Sequence, residues 1–369
     1  MKKINIIWLL LGAMFLITAC SSDDEATEAV SQLRIIKSDI DFTAQGGTGT
    51  VVLAATSGVT SAASSETWCT VTVSSDTTVS VTVAPYEGME SRNSNVTITD
   101  RNNNAVHISA TQTGMRFGLG GHVVALNDNG KGSGVAANIS FTPTIDCPDW
   151  CTVTFSQDSL HFSAQPNTTG SVRSGYAYIN GVNRKDSVLV VQGELKDILG
   201  SYRLAGQDGE TGEAVYLDAE LKGTAGNLRI EFPKLGWKCP VQFDASKLSF
   251  TLAGGTNFGT YEVNDSVTYN VGACLWDTEQ GYITWAKNYT YNCQFQNVDG
   301  YTVGVFEDNG SWSNYTVSGL YLALFDSDVF SSKSRKSTLL RLAYPVLIKE
   351  QAAGAKPMKQ MQPFAFSRK

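Results

Sequence analysis

The sequence contains little histidine, and this scarcity excludes several kinds of active site. The three histidines are His107, His122 and His161, and all of them precede residue 195. A Ser-His-Asp or Cys-His nucleophilic site, or a hydrolytic metal site built on histidine, therefore cannot form within residues 195–369. No phosphate-binding loop or dinucleotide-binding motif is present either. We expect no cofactor.

The sequence also lacks the cysteine spacing of a metal site. It has seven cysteines but no CxxC pair, and none of them lies at zinc-finger spacing from a histidine. A structural zinc ion is therefore not expected, and the acidic pair Asp326 and Asp328 lacks the spacing of an EF-hand calcium loop. We expect no bound metal.

A third feature that is missing is helical periodicity, which no long stretch beyond the N-terminus shows. Short runs such as residues 79–83 and 96–99 instead alternate apolar and polar side chains with period two, as half-buried antiparallel strands do. Charged residues make up 17% and hydrophobic residues 42% of the chain, which indicates a packed globular protein. The sequence therefore predicts an all-β fold.

The N-terminus carries the one long apolar run, from residue 4 to residue 17, after Lys2 and Lys3. This run is too short to span a bilayer, which takes about 20 residues, and it is typical of a cleaved signal peptide. Thr18-Ala19-Cys20, followed by acidic residues 23–25, resembles the lipobox and surface-export signal of Bacteroidetes lipoproteins. The resemblance implies a signal peptide at 1–19 and an acylated Cys20. The alternative is an ordinary signal peptide with a chance cysteine.

This resemblance implies a location and several partners. The protein would be anchored to the outer membrane by its N-terminal lipid and exposed at the cell surface, with residues 20–31 as a flexible tether. The net charge is −7, and the chain between its basic ends is strongly acidic, which argues against nucleic acid as a partner. We expect the basic tail, residues 352–369, to be disordered, although it could contact lipid headgroups or polyanionic glycans.

Residues 32–194 contain an internal repeat. Residues 68–73 (WCTVTV) match residues 150–155 (WCTVTF), residues 92–98 match residues 173–179, and each copy ends on a strand with a glutamine, Gln112 or Gln192. Each copy holds about seven short strands, for which an immunoglobulin-like sandwich is the natural fold. Trp68 and Trp150 are the predicted core aromatics, packed between the two sheets.

The tryptophan-led strand, the arginine that opens a later strand and the final strand ending in glutamine together resemble BACON domains. The resemblance covers residues 32–114, the first module, and residues 115–194, the second module. It implies domains of Bacteroidetes surface lipoproteins and glycan-degrading enzymes, for which binding of carbohydrate or mucin is proposed. Whether such modules bind a ligand or act as spacers stays open.

The repeat also bears on the remaining cysteines. An exported protein can form disulfides, and Cys147 and Cys151 are close in sequence. Cys151, however, repeats the position of Cys69, which has no partner cysteine in its own module. We therefore favour free thiols over a Cys147–Cys151 bridge. Cys239, Cys274 and Cys293 are odd in number, so at least one of them is free or pairs outside its domain.

Residues 195–351, the C-terminal domain, do not share the repeat. Strand-like runs follow one another at intervals of 10–15 residues, separated by glycine-containing turns. Eight or nine antiparallel strands of this kind close into a barrel or a jelly-roll-like domain. The run from residue 339 to residue 349 predicts one closing strand or a short helix stopped by Pro345.

The C-terminal domain is rich in tryptophan and tyrosine, and aromatics with polar neighbours often form platforms for sugar rings. Trp276 precedes a polar turn and Trp312 lies in an apparent loop tip, so both are the best candidates for exposed aromatics. Together with Tyr315 they are the predicted ligand-binding residues. The alternative is that these side chains fill the core.

Three functions remain. The first is a non-catalytic surface lipoprotein that binds carbohydrate, either glycan or mucin, through the C-terminal domain, with the modules as stalk or auxiliary binders. The second is a structural protein or an accessory subunit that binds outer-membrane protein partners. An enzyme is the least favoured, because the carboxylate pairs Asp277/Glu279, Glu307/Asp308 and Asp326/Asp328 are sequence neighbours of the kind found in solvated turns. We predict no catalytic residues.

Overall fold

The computed structural model describes residues 33–181 and 184–350. The predicted signal peptide at 1–19, Cys20, the tether at 20–31 and the tail at 352–369 lie outside the described residues. Within the described ranges the fold is all-β, with one four-residue helix, α1 (Leu195–Ile198). No helix in these ranges is both long and apolar enough to cross a lipid bilayer.

The first module consists of eight strands in two four-stranded sheets. The strands are β1 (Arg34–Asp39), β2 (Asp41–Phe42), β3 (Gly47–Ala54), β4 (Val59–Ser64), β5 (Cys69–Ser75), β6 (Thr78–Val83), β7 (Arg92–Asp100) and β8 (Ala105–Gln112). One sheet has the order β1-β3-β6-β5 and the other the order β2-β8-β7-β4. Inward side chains such as Val51, Val81, Val96 and Ile98 are fully buried between them.

The second module repeats this arrangement. Its strands are β9 (Phe117–Leu119), β10 (Val123–Leu126), β11 (Val135–Ile139), β12 (Thr144–Asp146), β13 (Cys151–Ser156), β14 (Ser159–Ala164), β15 (Arg173–Asn180) and β16 (Lys185–Gln192). The sheets have the orders β13-β14-β11-β9 and β10-β16-β15-β12. In both modules the first two strands lie in different sheets, β1 and β2 in the first module and β9 and β10 in the second. The other six strands divide between the two sheets as they do in immunoglobulin domains. The predicted sandwich fold is confirmed.

The C-terminal domain contains twelve strands of one large sheet. They are β17 (Gly200–Asp208), β18 (Ala214–Thr224), β19 (Asn227–Phe232), β20 (Trp237–Asp244), β21 (Ser249–Ala253), β22 (Asn257–Asn264), β23 (Val267–Trp276), β24 (Ile283–Thr284), β25 (Thr290–Val298), β26 (Tyr301–Asp308), β27 (Gly319–Phe325) and β28 (Arg335–Lys349). Eight of them, β17-β18-β19-β20-β21-β25-β26-β28, close into a barrel through the pairing of β17 with β28.

Strand β28 is longer than the sequence suggested, and it has two partners in succession. One edge of β28 pairs with β27 as far as Ala343 and with β26 from Val346 onward, while the other edge pairs with β17 from Leu342 to Lys349. Tyr344 adopts a left-handed backbone with φ +51° where the pairing with β17 shifts register, so Pro345 stands next to a bulge, where a missing N–H is tolerated. The predicted alternative of a short helix stopped by Pro345 was wrong.

The strands that do not belong to the barrel form an extension of its sheet. β27 pairs with β28, and the order continues through β23 to β22, with β24 paired to the end of β23. A small separate core covers one face of this extension and contains Cys274, Trp276, Tyr321 and Phe325. The extension thus places the 277–282 turn and the 309–317 loop next to each other.

The second module and the C-terminal domain belong to one compact unit. Val172 and Val191 of the module lie in the same hydrophobic core as Leu248 and Phe295 of the barrel. Asn297 reinforces the contact, because its Nδ2 donates to the carbonyl oxygen of Val172 over 3.0 Å. The second module is therefore packed firmly against the barrel, which distinguishes it from a spacer joined only by a linker.

Candidate functional site

Four aromatic rings form a continuous row at one side of the C-terminal domain, which we call the aromatic row. Tyr289 stacks on Trp312 with ring centroids 5.7 Å apart, Trp312 lies 4.5 Å from Tyr315, and Tyr315 lies 4.9 Å from Tyr282. Trp312 is the most buried ring of the row at 8% exposed, Tyr289 and Tyr315 are half-buried, and Tyr282 at the outer end is 55% exposed. The outer end therefore offers a ring face to solvent that the inner rings support.

The loop that carries Trp312 and Tyr315 is held by short polar contacts. The carboxylate of Asp308 accepts the backbone N–H groups of Gly310 and Val317. Ser311 Oγ accepts the N–H of Thr290 over 2.9 Å and donates to the carbonyl oxygen of the same residue over 3.1 Å. Each contact satisfies a backbone group that a loop would otherwise leave to water. These contacts fix the ring positions.

A buried carboxylate positions the turn that carries Tyr282. Asp277 is 2% exposed. Its Oδ1 accepts the N–H groups of Glu279 and Gln280, and its Oδ2 accepts the N–H of Thr316 at 3.0 Å. One side chain thus ties the 277–282 turn to the loop next to it. The acid holds the site together and does not face solvent.

Polar groups and a second exposed tyrosine border the aromatic row. Tyr344 is 52% exposed, and its hydroxyl accepts a hydrogen bond from Thr278 Oγ1 over 3.1 Å. Glu279 and Gln280 are exposed on the turn beside it. An aromatic face with a few polar groups at its edge is the usual composition of a small-ligand site. Tyr344 was not predicted, because only the bulge in β28 brings it here.

The structure corrects the expected exposure of two tryptophans. Trp276 is 9% exposed and packs against Tyr321 in the core of the extension, while Gly209 lies over its ring. Trp312 is buried in the main core and supports the aromatic row from beneath. Both tryptophans are therefore core residues, which was the alternative interpretation. Tyr315 is half-buried within the row. Their part in ligand binding stays a prediction.

The barrel interior is not a ligand cavity. Tyr202, Phe250 and Phe295 are at most 1% exposed, and their rings pack edge to face with centroids 5.7–6.2 Å apart. The Tyr202 hydroxyl donates to the carbonyl oxygen of Ile198 over 2.5 Å, which satisfies the buried phenol. A barrel of eight strands is just wide enough for its side chains to fill it. These rings therefore fill the part of the barrel interior in which they lie.

The predicted core aromatics of the modules are only half-buried. Trp68 and Trp150 each pack against the core of their module but keep part of the ring exposed. The guanidinium carbon of Arg173 lies 4.6 Å from the Trp150 ring centroid, where a positive charge is favourable. The neighbouring Cys69 and Cys151 enter the core instead. Both tryptophans thus pack against the cores in which they were predicted, with part of each ring left exposed.

All six cysteines of the described residues are free thiols. Cys147 Sγ donates to the carbonyl oxygen of Cys151 over 3.3 Å, so the two cysteines are neighbours without a bridge. Burial raises the pKa of the Cys151 thiol to about 12, and Cys147 adds to this rise. No group of three or more residues suited to holding a metal ion occurs in residues 33–181 and 184–350.

The other predicted carboxylates are not arranged as a pair around a pocket. Asp308 binds backbone N–H groups, and Asp326 forms an ion pair with Lys336 at 2.5 Å. Burial of its carboxyl raises the pKa of Glu307, although part of this residue reaches the surface. Burial raises the pKa of the Tyr176 phenol in the second module, and the charge of Glu307 raises it further.

Comparison with solved structures gives remote likeness only. A chimeric titin Z1Z2 covers 44% of this chain and 97% of its own at 7% identity, with a TM-score of 0.30. An endo-fucoidan hydrolase of glycoside hydrolase family 107 covers 58% of this chain at 11% identity and a TM-score of 0.24, and this chain spans 40% of that enzyme. A search of curated proteins gave no match.

The sequence comparison assigns the two repeated segments. The model of one family, BACON, with the description "Putative binding domain, N-terminal", matches residues 58–113 and again residues 140–193. Both matches lie within the two sandwiches and end close to the glutamine of the last strand. These two segments are therefore similar to BACON domains in tandem.

Proposed function

We propose that this protein is a non-catalytic lipoprotein of the bacterial cell surface that binds carbohydrate through its C-terminal domain. The aromatic row carries the proposal. Tyr282 and Tyr344 expose ring faces, Tyr315 supports Tyr282, and Glu279 and Gln280 offer hydrogen-bonding groups beside them. A pyranose ring has an apolar C–H face and a polar rim, which matches this combination.

The described fold agrees with a binder that works through many weak contacts. A small site made of exposed rings with a polar edge suits a dissociation constant near 1 mM, or about −4 kcal/mol. Many copies anchored on one membrane by an acylated Cys20 would raise the avidity by roughly 10²–10⁴ without further contacts. The BACON domains would serve as stalk or as auxiliary binders.

A glycan array that includes mucin glycans tests this function. The mature chain should bind at least one glycan class, and Tyr282→Ala should weaken that binding by about tenfold or more. Tyr216→Ala is the matched control, because Tyr216 is 51% exposed on β18 and does not belong to the aromatic row. Equal binding by wild type and Tyr282→Ala, or no binding by either, would reject the site.

One observation favours the alternative of an assembly protein. Strand β22 ends the order of the large sheet, and most of its residues are exposed, including Tyr261 and Val263. An edge of this kind can accept a strand from another protein. Cross-linking in intact cells should then capture an outer-membrane protein, and Val263→Lys on this edge should abolish the capture.

A further inference from the structure

Three hydrogen-bonding side chains of β28 lie on one face of the extension at a spacing that a regular strand does not give. They are Arg335, Thr338 and Arg341, each three residues after the one before, whereas side chains on one face of a strand recur every two residues. The pairing of β27 with β28 shifts register twice within this stretch, and each shift adds one residue to β28. Two bulges thus turn all three side chains to the same face. We call this group the arginine site.

The bulges place the arginine site over a buried core. Its partners on β27 are Tyr321, Ala323 and Phe325, which alternate along that strand and belong to the small core of the extension. Side chains directly opposite each other in an antiparallel pair lie on the same face. The arginine site therefore covers this core from the outside, and all three of its residues are half-buried.

Both guanidinium groups of the site contact one aromatic ring. The guanidinium carbon of Arg335 is 5.2 Å from the ring centroid of Tyr321, and that of Arg341 is 5.8 Å from it. A cation is favourable beside an aromatic ring, but two like charges that converge on one ring repel each other, and partial burial strengthens this repulsion. A negative charge at the site would offset it.

The protein supplies little of that negative charge. Within residues 33–181 and 184–350, Arg335 forms no ion pair, and the ion pair of Arg341 joins its Nη1 to Oε2 of Glu210 over 3.6 Å. The Glu210 side chain is 75% exposed, and exposed pairs contribute little. Asp326 of the same hairpin is paired with Lys336 instead. The charge of Arg335 is thus not neutralised by any described carboxylate in contact with it.

The site also holds more hydrogen-bond donors than acceptors. Arg335 Nη2 donates to the Tyr321 hydroxyl over 2.6 Å and to Thr338 Oγ1 over 3.4 Å, and these two hydroxyls are hydrogen-bonded to each other. That bond uses one of their two protons and leaves the other to donate elsewhere. The Nε–H groups of Arg335 and Arg341 are buried and have no acceptor among the described residues. A group that carries negative charge and only accepts hydrogen bonds is complementary to this set.

We propose that Arg335, Thr338 and Arg341 form a binding site for an oxyanion, either a carboxylate or a sulfate group. The planar guanidinium fork matches two oxygens of such a group, the anion offsets the repulsion between the two arginines, and the hydroxyl pair donates one more hydrogen bond. Glu210 competes with the anion for Arg341. This inference does not rest on the proposed function, because a free anion should occupy the site and none of its residues belongs to the aromatic row.

NMR of the arginine Nε–H signals in the mature chain tests the proposal. Sodium sulfate and sodium acetate are titrated separately through about 1 mM, the range of a weak site, and the ionic strength is kept constant with sodium chloride. At least one anion should shift the signals of Arg335 and Arg341 along one saturable curve. Arg203 is the matched control, because its guanidinium carbon likewise lies 5.8 Å from a tyrosine ring, that of Tyr216.

The pattern of shifts decides the outcome. A saturable shift with acetate alone assigns the site to carboxylates, one with sulfate alone assigns it to sulfate groups, and shifts with both support a general oxyanion site. If neither anion gives a saturable shift, or if the Arg203 signal follows the same curve, the proposal is wrong.

Two substitutions should change the affinity in opposite directions. Arg341→Gln removes one charge of the site and should weaken anion binding, followed at the Arg335 signal, by about tenfold or more. Glu210→Gln removes the competing carboxylate and should strengthen binding by about two- to fivefold. Glu213→Gln is the control, because Glu213 is exposed in the same loop as Glu210.

Thermal unfolding without added anion shows whether each variant keeps its fold. A folded Arg341→Gln that binds as tightly as the wild type would overturn the proposal. So would Glu210→Gln if it binds no more tightly than Glu213→Gln, and this second comparison decides the matter even if Arg341→Gln does not fold.

Discussion

Arg173 donates a hydrogen bond from Nε to Oε1 of Gln192 over 2.7 Å, and Arg92 makes the same bond to Gln112 over 3.0 Å. Both glutamines are fully buried. Gln192 Nε2 in turn donates to three backbone carbonyls, those of Asn127, Asp128 and Gln165. The repeated arginine and the repeated final glutamine are thus two ends of one contact that ties strand β15 to β16 and to the loops beside them.

Removal of this contact should destabilise the second module. Gln192→Ala removes the acceptor of the Arg173 Nε–H and takes one donor from each of three carbonyls, so we expect a loss of about 1–3 kcal/mol in the free energy of unfolding. Urea denaturation measures this loss. Lys234→Ala is the control, because it breaks only an exposed ion pair with Asp218, which contributes little to stability. Equal losses in both variants would contradict the role of Gln192.

We expect substitution of Trp312 to lower the folding free energy much more than substitution of Tyr282 does. Because its indole is buried in the main core, Trp312→Ala should cost about 3–5 kcal/mol of folding free energy. Tyr282→Ala removes an exposed ring and should leave the thermal midpoint nearly unchanged. Differential scanning calorimetry of the two variants distinguishes a supporting residue from a contact residue. A small effect of Trp312→Ala would show that the indole is dispensable for packing.

Thiol reactivity should follow burial. Cys239, Cys274 and Cys293 are fully buried, and burial raises their pKa values, so iodoacetamide should modify them only after denaturation. Cys147 is half-buried and should react first in the native protein. Peptide mass spectrometry after labelling without reductant measures this order. A Cys147–Cys151 disulfide would appear instead as an unlabelled peptide lighter by two hydrogens.

The stability contributed by Asp197 should depend on pH. Asp197 is 3% exposed, and burial raises the pKa of its carboxyl above the ordinary value of 3.8, with a smaller opposing effect of its hydrogen bond to the Glu194 N–H. The folded state therefore holds this proton more tightly than the unfolded state does, and stability falls as pH rises from about 3.9 through the folded pKa. Asp128 and Glu194 raise the pKa further, and Lys196 lowers it.

Asp197→Asn isolates this effect, because asparagine keeps a hydrogen-bond acceptor and does not ionise. Relative to the wild type, the variant should gain stability as pH rises from about 3.9 through the folded pKa of Asp197. Urea midpoints at several pH values give the difference between the two proteins. If the difference in stability between the two proteins does not change with pH, or changes in the opposite direction, burial does not destabilise the ionised carboxylate of Asp197.

Membrane attachment should depend on Cys20. Cys20→Ser removes the thiol that lipoprotein processing would acylate, so the proposed lipid anchor would be lost. We expect the wild type to incorporate labelled palmitate and to sediment with the outer membrane, and the variant to do neither. Unlabelled wild-type protein, or a variant that still fractionates with membrane, would reject the proposed anchor.

The sequence alone determined the parts of the fold that depend on local pattern. Period-two alternation and short turns predict strands, and the repeat of the tryptophan, arginine and glutamine landmarks predicts two equal sandwiches. The strand-like runs and glycine-containing turns of residues 195–351 likewise predicted many antiparallel strands. The limit is visible at β28, where the strand crosses Pro345. A bulge with left-handed Tyr344 makes that crossing feasible, and no local signal shows which partners a strand will find on either side of it.

Tertiary structure decided which aromatics are exposed and which face each one presents. Trp312 follows a polar loop sequence yet lies buried, because Asp308 and Ser311 fold its loop back onto the barrel. Tyr176 lies in an ordinary strand yet remains 48% exposed on the outer face of its sheet. Sequence neighbours fix the direction of a side chain within a strand, but burial depends on what long-range packing places above it.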